Sequence, residues 1–356
     1  MNLQVHADMD LKTVHRIIFG NAATELPAFR GDPVDLVVTS PPYPMISIWD
    51  RLFSSSDERI AGALLDANGE KAFELMHQQL DEVWKKLYEV LNPGGIACIN
   101  IGDATRSIGG RFRVFPNHAR ILNSCTAAGF DVLPEILWRK QSNKPNKFIG
   151  SGMLPAGAYP TQEHEYIAIL RKGAKRVFSD SSVLKRRYQS AYFWEERNEW
   201  FSDVWENIKG TRQTSRPNGR RTASFPLDLC YRLICMFSII GDTVMDPFAG
   251  TGTAILASIA AGRNSVGIEI DRSLGEEIES KLNDAVSLAA DLNGSRIASH
   301  RRFISDRLAR AQASKMEHIN RHYGFPVVTS QETELRLPEL VEARLDQDFT
   351  VHATYR

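Results

Sequence analysis

A glycine-rich turn set between a strand and a helix limits this chain to a narrow range of folds. Val244 and Met245 form a short apolar run ahead of Asp246-Pro247-Phe248-Ala249-Gly250-Thr251-Gly252-Thr253. An apolar helical pattern follows over residues 254–261, and a strand pattern over 265–270 carries Glu269. Strand, turn, helix and strand make a βαβ unit, which calls for a parallel sheet covered by helices. The glycines let the backbone approach a ligand closely, and the helix start offers free N–H groups. Glu269, about 20 residues beyond the glycines, stands where a ribose hydroxyl would be gripped. Thr253 and Ala254 replace the third glycine of a dinucleotide fingerprint, and Asp246 suits a cation or polar group better than a pyrophosphate. The unit favours adenosine without a diphosphate.

A second loop has its own logic. Val34, Leu36, Val37 and Val38 read as a buried strand ending in Thr39-Ser40-Pro41-Pro42-Tyr43. Two prolines fix φ and remove donors, so the carbonyl groups of the turn are left as acceptors. Ser40 adds a hydroxyl, and Tyr43 adds a ring that can stack on a flat base. Loops at the carboxyl ends of strands in an open α/β sheet are where ligands bind. The two loops together describe one compartment for a planar substrate and one for a nucleotide-like cofactor.

Between them the spacing predicts a helix over 70–91, stopped by Asn92-Pro93-Gly94-Gly95, and a strand over 96–101. A helix near 116–128 and strands at 132–138 and 165–170 follow. From Arg171 to Arg221 the apolar periodicity fades. Trp194, Trp200 and Trp205 sit among charges, with Lys185, Arg186 and Arg187 in one basic run and Arg212, Arg216, Arg220 and Arg221 in another. These runs bracket tryptophans and read as phosphate contacts. Regular patterning resumes with a helix to Ile240 and a strand at 243–245. A helix over 274–292, a basic helical stretch over 296–321 and an acidic, solvated C-terminal segment with a short strand at 327–328 complete the pattern.

The two loops, taken together, resemble those of the DNA amino-methyltransferases that use S-adenosyl-L-methionine. The proline motif comes first and the glycine motif late, which is similar to their permuted β group. Phe19-Gly20-Asn21-Ala22 resembles the segment that opens such enzymes, with Asn21 where aspartate is usual. The resemblance implies an α/β, Rossmann-like fold with a mostly parallel twisted sheet, circularly permuted motif order and an inserted target-recognition region. It implies a catalytic half at 1–173, the recognition insert at 174–222, a cofactor half at 223–292 and an extension at 293–356. Carried over by position, Asn21, Thr39, Phe225, Asp246, Pro247, Phe248, Gly250, Thr251, Gly252, Thr253 and Glu269 would hold the cofactor. Ser40, Pro41, Pro42 and Tyr43 would hold the target base, and the basic runs would hold double-stranded DNA. The amino nitrogen would attack the methyl group in line after the base leaves the helix stack. Serine before the Pro-Pro pair resembles enzymes acting on cytosine N4, whereas aspartate there is more usual for adenine N6. The resemblance leaves open a homodimer and a cognate restriction endonuclease.

Other residues and competing readings are weighed on the same terms. None of Cys98, Cys125, Cys230 and Cys235 follows a proline, so attack on a base carbon by cysteine is disfavoured. Their spacing supports neither a zinc site nor a disulfide framework, which leaves them as reduced core residues with no metal. Asp50, Asp103, His118, His164 and His300 read as structural. The formal net charge is zero, so charge distribution rather than bulk charge must decide the partner. The absence of a long apolar run predicts no membrane span and a cytoplasmic protein. Methylation of RNA or of a protein amide is a second enzyme reading. A DNA- or adenosine-binding protein without turnover is a third.

Overall fold

The computed structural model describes residues 11–140, 149–210, 225–310 and 316–356. Ten strands form one sheet. They are β1 (Leu11–Phe19), β2 (Val34–Thr39), β3 (Leu91–Ile101), β6 (Asp131–Arg139), β9 (His164–Arg171), β10 (Val204–Trp205), β11 (Thr243–Asp246), β12 (Asn264–Glu269), β15 (Leu340–Leu345) and β16 (Thr350–Tyr355). Three two-stranded ribbons lie outside it: β4 (Ala104–Ile108) with β5 (Arg111–Phe115), β7 (Ile149–Gly150) with β8 (Ala158–Tyr159), and β13 (His318–Ile319) with β14 (Pro326–Val327). The sheet order is β10-β6-β9-β3-β2-β11-β12-β1-β16-β15. Its centre, from β3 to β1, is parallel, and antiparallel strands extend both sides.

Alternation along each strand decides the layers. Leu36 and Val38 of β2 enter one core and Val37 the other. One face is covered by α8 (Leu227–Phe237), α9 (Thr253–Ala261), α10 (Gly275–Asn283) and α11 (Ala285–Ala309). The opposite face carries α1 (Ala22–Glu25), α4 (Gly69–Val90) and α5 (Asn117–Ala128), with α2 (Asp50–Ser56) and α3 (Glu58–Leu65) beside them. Every residue of α9 is buried, so this helix has no polar face, as befits a central element. A Cβ at Gly267 of β12 would come within 2.9 Å of Ala249 Cβ, so only glycine lets the turn after β11 pack this closely.

The chain reverses its direction of travel across the sheet between β2 and β11. From β2 it moves outward to β3, and from β11 outward to β12. The crevice at this switch point lies outside the carboxyl ends of both strands. Those ends are Thr39 and Asp246.

Several expectations are corrected. The helix over 274–292 is two helices broken at Asp284, and α11 runs on through residue 293, where a division was drawn. The basic helix ends at Ala309, and the chain from Met316 onward is not helical to 321. The acidic C-terminus is not merely a solvated surface: β16 pairs with β1 and buries Val351, Ala353 and Tyr355. That alternation, Val-His-Ala-Thr-Tyr, is the strand signal that the flanking acids obscured. The ribbon β4–β5 turns on Gly109-Gly110, both with positive φ, which is a strong two-residue hairpin signal. Trp200 and Trp205 are buried in the core rather than presented to a ligand, with Arg232 over both rings.

The Tyr355 hydroxyl donates to the Ile259 carbonyl at 2.8 Å and meets Thr13 Oγ1 at 3.1 Å, tying β16 to α9 and β1. Tyr355→Ala is expected to lower unfolding stability by about 3–5 kcal/mol, read from the midpoint of chemical denaturation.

Candidate active site

The proline loop is built into a polar network. Ser40 and Tyr43 are half-buried, and their hydroxyl oxygens are 3.1 Å apart. The Tyr43 hydroxyl donates to Glu165 Oε2 at 3.0 Å. Asn100 Nδ2 donates to the Tyr43 oxygen at 2.9 Å and to Glu165 Oε2 at 2.8 Å. Lys140 Nζ completes the set with a 2.8 Å bond to Glu165 Oε1. Burial, followed by the charge of Glu165, pushes the Tyr43 phenol well above its ordinary range, so it stays a neutral donor. One edge of its ring lies against Gly102, where a Cβ would meet Tyr43 Cε2 at 3.2 Å.

Asn100, Glu165 and Lys140 escaped the sequence reading as site residues. They arrive from β3, β9 and the end of β6, and only the antiparallel pairing of Ile101 with Tyr166 puts them beside Tyr43. No spacing in the sequence encodes that approach. The loop is further clamped by buried Asn117, whose Nδ2 donates to the carbonyls of Pro44 and Gly102 at 3.1 and 3.0 Å. Asp50 holds Arg106 in a two-pronged ion pair at 2.8 and 2.7 Å. Asp103 is not an ordinary surface aspartate: its side chain is mostly buried and binds His118, whose ring stacks on Tyr166 at 3.7 Å. His300 is buried and meets Glu195 Oε1 and the Pro326 carbonyl.

The glycine loop lies directly across the switch point. Thr39 Oγ1 donates to Asp246 Oδ1 at 2.6 Å, and the Phe248 N–H donates to the same oxygen at 3.0 Å. Asp246 Oδ2 is buried with no hydrogen-bond partner. A carboxylate this enclosed, only 1% exposed, resists ionisation, and burial pushes its pKa up to about 7 against the pull of Thr39. Glu269, at the end of β12, accepts from the Gly250 N–H at 2.7 Å and the Asp271 N–H at 2.7 Å. Its pKa is also raised by burial. Gly250 and Gly252 adopt φ of +54° and +80°, which side chains with a Cβ rarely tolerate. Pro247, Thr251 and Thr253 are buried, and Thr251 Oγ1 bonds Lys281. Phe248 packs edge-on against Trp84.

Asn21 caps α1 by accepting from the Ala23 N–H at 2.9 Å, immediately after Gly20, whose N–H donates to the Glu269 carbonyl. Phe225 is buried in the core at the start of α8. The structure therefore brings Thr39, Ser40, Tyr43, Asp246, Gly250 and Glu269 to one edge of the sheet, with Asn21 adjoining.

The basic run lies elsewhere. Lys185, Arg186 and Arg187 sit on α6 (Ser181–Gln189), followed by α7 (Trp194–Trp200). Arg186 reaches the Ile240 carbonyl ahead of β11, and Arg187 lies 4.3 Å over the Phe178 ring. Arg187 and Phe178 line a cleft of about 570 Å³ that includes Asp35, Gly94 and Asp242, at the amino ends of the strands. That cleft is at the opposite edge from both loops and is no part of the candidate site. Arg212, Arg216, Arg220 and Arg221 lie outside the described residues.

The buried carboxyl of Asp246 has a consequence for stability. Its folded-state pKa lies above the ordinary 3.8, so its contribution is full below about 3.8 and is lost as pH rises through about 7. Asp246→Asn is expected to unfold later than the parent at pH 8, by up to about 4 kcal/mol. The advantage should shrink steadily toward pH 5, measured as paired denaturation curves. A difference that does not change with pH would refute the assignment.

Comparison with known proteins agrees with this geometry. The N6/N4 methyltransferase family model, described as DNA methylase, matches residues 34–280. The chain is 47% identical over 330 residues to the type II methyltransferase M.MthZI of Methanothermobacter thermautotrophicus, covering 92% of this chain and 91% of that protein. It is 52% identical over 285 residues to the type II methyltransferase M.MjaI of Methanocaldococcus jannaschii, covering 77% of this chain and 93% of the relative. Among solved structures, the DNA modification methylase TTHA0409 of Thermus thermophilus, complexed with S-adenosyl-L-methionine, aligns with a TM-score of 0.59 at 31% identity, over 78% of this chain and 94% of that one. With a mostly parallel Rossmann-like sheet, two loops joined at its switch point and a family match that spans both, the chain belongs to the N6/N4 DNA methylase family and is an S-adenosyl-L-methionine-dependent DNA amino-methyltransferase.

Proposed function

We propose that this enzyme methylates N4 of cytosine in double-stranded DNA at a short specific sequence, as the modification arm of a restriction–modification system. The observation that carries the choice of base is Ser40. Its neutral hydroxyl stands before the proline pair, where adenine-modifying members more usually carry aspartate. The two type II methyltransferases that resemble the chain support the restriction–modification role.

The residues present fit the cofactor. Asp246 Oδ2 is a buried acceptor without a partner at the head of a glycine turn, suited to the cofactor's ammonium group. Glu269 has one backbone N–H on each oxygen and keeps lone pairs for ribose hydroxyls. Gly250 and Gly252 leave the turn open to close approach, and Phe248 and Asn21 flank it. S-adenosyl-L-methionine supplies an electrophilic methyl group there.

The chain's own residues prepare the nucleophile. Ser40 and the carbonyl groups of the proline turn accept the hydrogens of the amino group. That orients the nitrogen lone pair and stabilises positive charge developing on it. Tyr43 offers a ring face whose position is fixed by Glu165 and Asn100, so little ordering remains to be done when the base arrives. No covalent nucleophile is required, and the four cysteines are all buried.

Nucleoside mass spectrometry on unmethylated DNA incubated with protein and cofactor tests the proposal. N4-methylcytosine is expected, N6-methyladenine would overturn the choice of base, and methylation of neither would overturn the reaction. Cofactor affinity should also tighten as pH rises through about 7, as Asp246 ionises. Asp246→Asn should weaken binding roughly 10- to 100-fold, the scale of a lost charged hydrogen bond, and flatten that dependence in titration calorimetry.

A further inference from the structure

The ribbon β7–β8 ends in a turn whose tip presents two apolar side chains to solvent. Met153 is 88% exposed and Leu154 69% exposed, and neither belongs to a core cluster. The tip is nonetheless shaped. The Ser151 N–H donates to the Gly157 carbonyl at 2.9 Å, and Ser151 Oγ donates to the Leu154 carbonyl at 2.6 Å. Gly150 adopts φ of +79°, and a Cβ there would fall 2.0 Å from the Gly157 oxygen. A turn held in this way, yet exposing its largest apolar groups, is costly unless something covers them.

Its location identifies what covers it. The ribbon lies within the connection from β6 to β9, whose ends are joined by the Lys140 N–H bond to the Glu163 carbonyl at 2.7 Å. Lys140 and Glu165, flanking that junction, are the same residues that hold Tyr43. At its base, Tyr159 stacks on Phe112 of β5, with centroids 5.5 Å apart and planes at 22°. On the partner strand β4, Arg106 grips Asp50 and the Met45 carbonyl of the proline loop. Exposed Arg111 and half-buried Arg113 accompany Phe112, adding positive charge to this edge. The base loop, the β4–β5 ribbon and the β7–β8 ribbon thus form one connected structure at the carboxyl edge, where DNA must present its target.

We infer that Met153 and Leu154 enter the duplex and occupy the space vacated by the target base. The inference rests on the base-rotation reading above. Arginines favour the phosphates beside the site, while a pair of unbranched or γ-branched apolar side chains suits the gap between flat base pairs. These residues position the DNA and touch no reacting atom. Their contribution is to hold the helix open, and it should matter least where the target is unpaired at the outset.

The test begins by mapping the methylated sequence by digestion and sequencing of DNA modified by the wild-type enzyme. Two synthetic duplexes are then compared, one fully paired and one with the target base opposite a base it cannot pair with. Single-turnover methylation by Met153→Ser/Leu154→Ser is expected to fall at least about 10-fold on the paired duplex, and to stay within about 3-fold of wild type on the mismatched one. A 2-aminopurine placed beside the target should brighten less on binding the variant than on binding wild type. Both positions are on the surface, so cofactor affinity and unfolding midpoint serve as controls and should not change. Equal losses on both duplexes, or no loss on either, would overturn the inference while leaving the enzyme's function intact. A wild-type protein that methylates neither duplex would overturn the functional reading as well.

Discussion

Parallel pairing of β2 with β11 is the constraint on which the site depends. Leu36 lies beside Val244 and Val37 beside Met245, so the strands end level and deliver Thr39 and Asp246 to the same point. The 2.6 Å bond between those side chains joins residues 207 apart in sequence. A slip of one residue in either strand would turn its apolar side chains to the wrong face and send Thr39 or Asp246 into a core. The same apolar alternation that stabilises the two layers therefore also sets the relation between cofactor and base compartments. Stability and geometry share one origin here.

The site also shows where stability is given up. Asp246 and Glu269 are both carboxyl groups held largely out of water, and burial raises the pKa of each. A chain selected for folding alone would place apolar residues at such positions. Asp246 keeps one oxygen fully bonded and leaves the other unpaired, which is strained in the free protein and ready for a cationic group. Tyr43 is handled differently. Its hydroxyl has three partners, so its ring is fixed before any substrate binds.

What the sequence makes legible follows from how local each signal is. The glycine turn, the proline turn, the helix stop at Asn92-Pro93-Gly94-Gly95 and the left-handed Gly129 that ends α5 are all local, and all are where the pattern puts them. The acid at Glu269 is also local, since a βαβ unit sets its distance. By contrast, Asn100, Glu165 and Lys140 meet only because two antiparallel strands were added beside β3, and nothing within a short window reports this. The tryptophans mislead for a related reason. Charge around Trp200 and Trp205 suggests a wet surface, but their rings are buried and the arginines beside them stack rather than bind phosphate. The basic run of α6 is real in composition, yet helix placement carries Arg186 to the amino edge of the sheet.

The pairing of β1 with β16 has a kinetic consequence. Thr13 and Tyr355 are 342 residues apart and hydrogen-bonded, and β1 also forms the parallel boundary with β12. Before residues 350–355 take their place, β1 is a bare strand edge bordering a parallel core, open to pairing with another chain. Contacts of such sequence separation close slowly, since loop entropy must be overcome before they return any energy. Assembly of this sheet is thus a late event, and chains that have not finished it are the ones exposed to self-association. The yield of native enzyme should be governed by concentration and temperature during folding more than by the stability of the finished fold.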